Sequence, residues 1–314
     1  MWEKIVAFFM SIIAFFTSLF SFGGTGDSGG SGSNDGYIFK NLAYGSHERQ
    51  VMDLYLPQEN DGEVGLILFI HGGGWIQGNK DEYAEALKVA CNDLGYAAAA
   101  INYRYISETV DLHDVADDID LALKKVKEKG KEKGINVNKM LLTGSSAGAH
   151  LSMFYAYSRK DTAPITPAAV VSNCGPTDLS DENFFFNQDL NVNNGLGDEE
   201  FVSLLFSYAC GQKFKYAERA NAKEALLKVS PIYYVNASTV PTVINHGQKD
   251  NIVPYSNATA LVEKFEEYGV AYDFNIYPNS GHELGKDPDN RKVADDLLFK
   301  YIRTYLGVEP AAKW

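Results

Sequence analysis

The sequence predicts an α/β protein with a mostly parallel central sheet, helices on both of its faces and a small cap insertion. Three observations lead there. Short continuous apolar runs recur along the chain, helical patterns lie between most of them, and one long segment breaks the alternation. A strand that is apolar throughout is covered on both faces, and the crossover helices that cover it leave its neighbours parallel.

In chain order, Gln50 to Leu56 alternates, with Val51, Leu54 and Leu56 ahead of Pro57, and Gly65 to Ile70 is a continuous apolar run that reads as a buried strand. Similar runs follow at Ala97 to Ile101, Met140 to Leu142, Ala168 to Val171, Val240 to Asn245 and Tyr272 to Tyr277. The clearest helix puts Val115, Ile119, Ala122, Leu123 and Val126 on one stripe. Asp114, Asp117 and Asp118 lie in its first turn and lysines towards its end, which suits the helix dipole. Its run from Lys124 to Lys133 reads as a solvated face, since Glu128 and Glu132 interrupt the charge. A last helix opens at Asp287-Pro288 and carries Val293, Leu297, Tyr301 and Leu306. Residues 179–229, with Phe184-Phe185-Phe186 and an Asn-rich run to Asn194, fit neither period and suggest a cap over a site, with the three phenylalanines either lining a pocket or completing the core.

Ahead of this body stand sixteen residues, Ile5 to Phe20, of which only Ser11, Thr17 and Ser18 are not apolar. They read as an export segment within residues 1–22, a cleaved signal or an uncleaved anchor, with Ser21 and Gly23 as small residues for a peptidase. Seven glycines among the fourteen residues Gly23 to Gly36 then read as a flexible tether, which leaves 37–314 as the folded body and places the protein outside the cytoplasm, secreted or on the cell surface. Membrane contact is expected only through residues 5–22, if they are retained.

Charge narrows the partners. The chain carries 41 acidic and 28 basic residues, a net charge of −13, and removing Lys4 with Glu3, Asp27 and Asp35 still leaves −11 on the body. Such a field repels polyanions, so no nucleic-acid partner is expected. Cys91, Cys174 and Cys210 are too few and too widely spaced for a disulfide framework or a zinc site, and read as buried free thiols.

The chemistry sits where strands end. After Met140 to Leu142 comes Gly144-Ser145-Ser146-Ala147-Gly148, leading into an apolar helix through Leu151, Phe154 and Tyr155. A serine hydroxyl is a poor nucleophile unless a sharp turn exposes it, and flanking glycines allow that turn its close backbone approach. Ser146 is therefore the candidate nucleophile. After Ile70 stands His71-Gly72-Gly73-Gly74-Trp75, where the N–H groups of Gly73 and Gly74, with that of Ala147, can converge on an oxyanion. A phosphate-cradling loop would need a lysine and a glycine spacing that this segment lacks. A serine needs a base, and the base an orienting carboxylate. His246-Gly247-Gln248-Lys249-Asp250 and Asn279-Ser280-Gly281-His282 each follow a strand, giving the order Ser146, Asp250, His282. Asp178, in Gly175-Pro176-Thr177-Asp178, is a rival for the acid, and Asp250 is preferred because its polar turn immediately precedes the histidine-bearing unit.

On those motifs, together with Asn102-Tyr103-Arg104, residues 38–307 resemble the α/β-hydrolase fold, in particular bacterial carboxylesterases of the acetyl-esterase type related to hormone-sensitive lipase. The resemblance implies a triad of Ser146, Asp250 and His282 and an oxyanion hole at Gly73 and Gly74. It departs at Ser145, where many of those relatives have aspartate, and at Ala149, where glycine is usual. The serine points towards the branch similar to acetylxylan and feruloyl esterases. The expected protein is thus a serine carboxylesterase acting on short acyl esters of a small molecule or carbohydrate, needing no cofactor or metal. An arylformamidase or prolyl-oligopeptidase-like amidase is the alternative on the same machinery, and a non-catalytic binding module is disfavoured because all three triad candidates stand. His71 is expected to brace the glycine loop, His47, His113, His150 and His246 to be structural or surface residues, and Trp75 with Phe184, Phe185 and Phe186 to border a substrate pocket.

Overall fold

The computed structural model describes residues 36–58, 62–186 and 199–307. The export segment, all but the last residue of the tether and the Asn-rich run to Asn194 lie outside these. Among the described residues, no helix is long and apolar enough to cross a membrane.

Eight strands form one sheet: β1 (Tyr37–Ala43), β2 (Val51–Leu56), β3 (Leu66–Ile70), β4 (Ala97–Ile101), β5 (Lys139–Ser145), β6 (Thr166–Asn173), β7 (Thr242–Gly247) and β8 (Tyr272–Tyr277). Their spatial order is β1-β2-β4-β3-β5-β6-β7-β8. The first two pairings are antiparallel and the other five parallel. Alternate residues of the continuous apolar runs enter two separate cores. Leu66, Leu68 and Ile70 with Ala97, Ala99 and Ile101 pack on one side, and Ile67, Phe69, Ala98 and Ala100 on the other. That is why these strands show no polar face.

Helix α1 (Leu112–Glu132), α2 (Ala147–Ser158) and α4 (Tyr255–Tyr268) cover the first side, while a helical stretch around Tyr83, Leu87 and Cys91 and helix α5 (Pro288–Tyr301) cover the second. The α1 stripe of Val115, Ile119, Ala122, Leu123 and Val126 is wholly buried. Its start is a capping box, with Asp111 accepting from the N–H groups of His113 and Asp114 and the Asp114 side chain returning to the Asp111 N–H. Asp118 departs from the dipole reading. It is fully buried and takes Arg104 at 2.7 Å and the side chain of Gln50 at 2.7 Å, tying α1 to the loop after β4. Val293 on α5 also faces out, 44% exposed, and Ala294 and Tyr301 carry the buried side.

Strand β1 has no counterpart in the apolar runs because it is a half-exposed edge, paired on one side and irregular between Phe39 and Leu42. Strand β5 runs three residues beyond its apolar stretch, through Thr143, Gly144 and Ser145, up to Ser146. Between β6 and β7 the described chain includes a short helix, Glu182–Phe186, then α3 (Glu199–Cys210) and the turn of helix Lys223–Lys228. Phe206 of α3 packs edge-on to Trp75 and Phe184, which seats this insertion over the loop after β3.

Candidate active site

Ser146 is the hinge between β5 and α2, and its backbone stands at φ 52° and ψ −122°, a conformation L-residues rarely adopt. The strain is held from both sides: its N–H donates to the Asn173 carbonyl at 2.8 Å, and its own carbonyl accepts from the His150 N–H at 3.0 Å. The flanking glycines are required by contact. A Cβ on Gly148 would lie 2.0 Å from the Ile70 carbonyl oxygen and one on Gly144 2.4 Å from it, so α2 starts hard against the end of β3.

The glycine loop passes the same turn. A Cβ on Gly72 would stand 2.9 Å from the Ser145 carbonyl oxygen and 3.6 Å from the Ser146 Cβ. Gly73, Gly74 and Trp75 all take positive φ, at 104°, 57° and 63°. His71 braces this loop through a chain of contacts that sequence reading missed. Arg49 Nη2 lies 3.2 Å from His71 Nε2, and a guanidinium can only donate, so Nε2 accepts and Nδ1 carries the proton, which it donates to the Gly72 carbonyl at 2.8 Å. Burial, with Arg49 adding its charge, pushes the His71 pKa down to about 3 against the pull of the Gly72 hydrogen bond, so the ring stays neutral. Tyr103 stacks on it at 4.3 Å and donates to its carbonyl at 3.0 Å. Arg49 also donates to the Tyr103 carbonyl at 2.8 Å and the Gly78 carbonyl at 3.2 Å, and its head lies over the Tyr105 ring at 3.6 Å.

Asp250 and His282 meet across two loops. His282 Nδ1 lies 2.8 Å from Asp250 Oδ2, and the other carboxylate oxygen accepts the N–H groups of Ile252 and Val253 at 2.9 Å each. Burial opposes the charge on Asp250, but His282, His246 and these N–H groups together hold its pKa below the usual carboxylate value. Gly247 makes the approach possible, since a Cβ there would come within 2.4 Å of the Gly281 carbonyl oxygen. Asp178 is engaged elsewhere: its Oδ1 accepts the N–H and hydroxyl of Ser180 at 2.8 and 2.6 Å. The carboxylate that faces the histidine is Asp250.

Two further features were hidden from the sequence. Asn173, Asn245 and Asn275 stand in register on β6, β7 and β8 and are buried. Asn290 donates to Asn275 at 3.0 Å, Asn275 to Asn245 at 2.9 Å, Asn245 to Asn173 at 2.9 Å, and Asn173 to the Gly144 carbonyl at 3.1 Å. This row of amides runs across the strand ends from α5 to the Ser146 turn. Cys174 is buried beside it, and among the described residues Cys174, Asp250 and His282 form a group whose potential ligand atoms all lie within 4.8 Å of one another.

Trp75 is 3% exposed. It joins loop, helix and insertion: its indole N–H donates to His150 Nδ1 at 3.3 Å, and His150 Nε2–H donates to the Val229 carbonyl at 2.8 Å. Phe184 is buried against Phe206, in keeping with the core alternative, and the side chains of Phe185 and Phe186 lie outside the described residues. His47 and His113 are exposed, whereas His150 and His246 are buried. Of the three thiols, Cys91 and Cys174 are buried and Cys210 only partly so.

A mostly parallel sheet whose central strand ends in a strained serine between two tight glycines, with an aspartate and histidine on the loops of β7 and β8, is the α/β-hydrolase fold. Within it the chain belongs to the BD-FAE family, whose profile matches residues 52–265. The Arabidopsis thaliana isoprenylcysteine alpha-carbonyl methylesterase ICME is 24% identical over 279 residues, covering 87% of this chain and 62% of that protein. The probable carboxylic ester hydrolase LipM of Mycobacterium tuberculosis is 26% identical over 239 residues, 72% of this chain and 51% of its own length. The chain thus spans between about half and two thirds of these curated relatives. Among solved structures, a truncated form of a carbohydrate esterase from gut microbiota superposes with a TM-score of 0.65 at 22% identity, covering 87% of this chain and 99% of that one.

Proposed function

We propose that the protein is a serine carboxylesterase that cleaves short acyl esters of a carbohydrate through an acyl-enzyme. The observation that carries the reading is the buried 2.8 Å contact between Asp250 and His282 on the loops after β7 and β8, at the same edge of the sheet as the strained Ser146 turn after β5. In this reading Asp250 holds His282 with its proton on Nδ1, leaving Nε2 to accept the Ser146 proton as Oγ attacks the ester carbonyl. The N–H groups of Gly73, Gly74 and Ala147 receive the oxyanion, and the neutral, pinned His71 keeps the glycine loop in place without adding a charge. His282 then gives its proton to the leaving alcohol, and water repeats the sequence to release the acid.

Esterase activity is supported by the descriptions of the relatives, a methylesterase and a carboxylic ester hydrolase among them. The carbohydrate side is supported by structural neighbours described as a carbohydrate esterase and an acetyl ester-xyloside bifunctional hydrolase, and by an acidic body that suits a neutral polymer. Action outside the cytoplasm follows in this reading from the apolar segment Ile5 to Phe20. The test is a chain-length series of aryl esters, followed by acetylated and feruloylated xylan and an aminoacyl anilide. Turnover should peak at about two to four acyl carbons, because a misfit methylene costs roughly tenfold or more. Preference for long chains or for the anilide would discard the substrate assignment.

A further inference from the structure

We infer that Cys174 is a positioning residue for the Asp250–His282 pair: its thiol donates a hydrogen bond to the Asp250 carboxylate and sets how strongly that carboxylate holds the imidazolium form of His282. The inference rests on the esterase reading above and concerns how the acid of that site is tuned.

Cys174 follows directly on β6 in a left-handed backbone, φ 51°, where a side chain other than glycine is strained. Its main chain is pinned to the strand that leads to Asp250, the Cys174 N–H donating to the Asn245 carbonyl at 2.8 Å. The preceding residue, Asn173, takes the Ser146 N–H. The strained residue therefore stands between the nucleophile's turn and the acid's loop. Sγ, a carboxylate oxygen of Asp250 and a ring nitrogen of His282 all lie within 4.8 Å of one another. Burial first, and then the Asp250 charge, push the thiol pKa well above its usual value, so at neutral pH the sulfur is an S–H that can donate to the carboxylate.

Around it lie Tyr277, Leu284 and Ala294, all buried, so the contact is screened little. The titratable and charged groups that act on this pocket are Asp250 and His246 from the β7 side, His282, Glu283 and Tyr277 from the β8 side, and Arg291 and Asp295 of α5, which act on Tyr277. Asp250 Oδ1 is taken by two backbone N–H groups and Oδ2 faces His282, so the thiol is a further donor sharing the same negative charge.

The sign follows. A donor on the carboxylate spreads its charge and weakens its hold on an imidazolium. Without that donor the carboxylate holds the imidazolium form that builds up during proton transfer more tightly, so the acid limb of the kcat/KM profile moves up. The experiment measures that profile for the whole protein on a chromogenic acetyl ester, with Cys174→Ala, Cys174→Gly and Cys174→Ser. In the Ala and Gly variants the limb should rise by about half a pH unit, within the range one hydrogen bond to a charged group produces. In the Ser variant, whose O–H replaces the donor, it should stay at or below the wild-type position. A limb unmoved in Ala and Gly, or moved equally in Ser, would overturn the inference. Glycine suits the backbone at 174, so this variant carries the test if the alanine protein does not fold. Ser146→Ala is the separate control: activity surviving that change removes the esterase reading itself, whatever Cys174 does.

Discussion

His282 turns Nδ1 towards Asp250 Oδ2 at 2.8 Å, while Asp178, on the loop after β6, spends its carboxylate on Ser180. The two acids that were rivals in the sequence are thereby separated by what they touch. Asp250→Asn should lower kcat by on the order of a thousandfold or more, because the amide that replaces the carboxylate stabilises the wrong imidazole tautomer. Asp178→Asn should change it by no more than a few-fold. Steady-state kinetics of the two folded variants decide the matter, and the reverse order would move the orienting role to Asp178.

Arg49 acts on the glycine loop from a distance, by fixing the tautomer of His71 and holding the carbonyls of Tyr103 and Gly78. Arg49→Met removes the donor to Nε2 and the clamp together. If the loop holds the oxyanion, kcat should fall roughly tenfold with KM little changed, since the lost interaction belongs to the transition state. A rise in KM alone would mean that Arg49 serves substrate binding instead.

The strand ends bearing Ser146, Asp250 and His282 were legible because each is a local event, a polar or glycine-rich break directly after an apolar run. The features around them are not local. Arg49 reads as one charged residue in a polar turn, and its partner histidine lies 22 positions away. Asn173, Asn245 and Asn275 each look like a strand running out, and their alignment exists only once β6, β7 and β8 are placed side by side. The burial of Asp118 and Trp75 is hidden from the sequence for a related reason. An acid near a helix start and an aromatic near a glycine loop both have an exposed role by habit, and here both are buried by partners far along the chain.

The asparagine row should be a matter of stability as well as position. Asn245 sits in its middle, buried, giving to Asn173 and taking from Asn275. Asn245→Leu keeps the volume but leaves a buried acceptor and a buried donor without their partner. That should cost about 2–4 kcal/mol, read as a lower midpoint in urea unfolding. An unchanged midpoint would show that the row is incidental to the fold.

Buried neutral histidines give the fold an acid limit. Burial, partly opposed by the hydrogen bond to the Val229 carbonyl, pulls the His150 pKa to about 4 from the usual histidine value of 6.5. His71 is likewise lowered to about 3, and burial lowers His246 as well. Below pH 6.5 the unfolded chain takes up protons that the folded chain refuses, so stability is complete above that pH and is lost as pH falls towards 4. The depressed Asp250 adds its own loss only lower, beneath its unfolded value of 3.8, so the two windows separate. For His150 alone the first window is worth roughly 3 kcal/mol at its acid end, from about 1.4 kcal/mol per pH unit. Urea unfolding at a series of pH values should show this slope, and His150→Gln, which cannot take up the proton, should flatten it by about one proton's worth. If the variant keeps the full slope, His150 is not among the groups that set the acid limit.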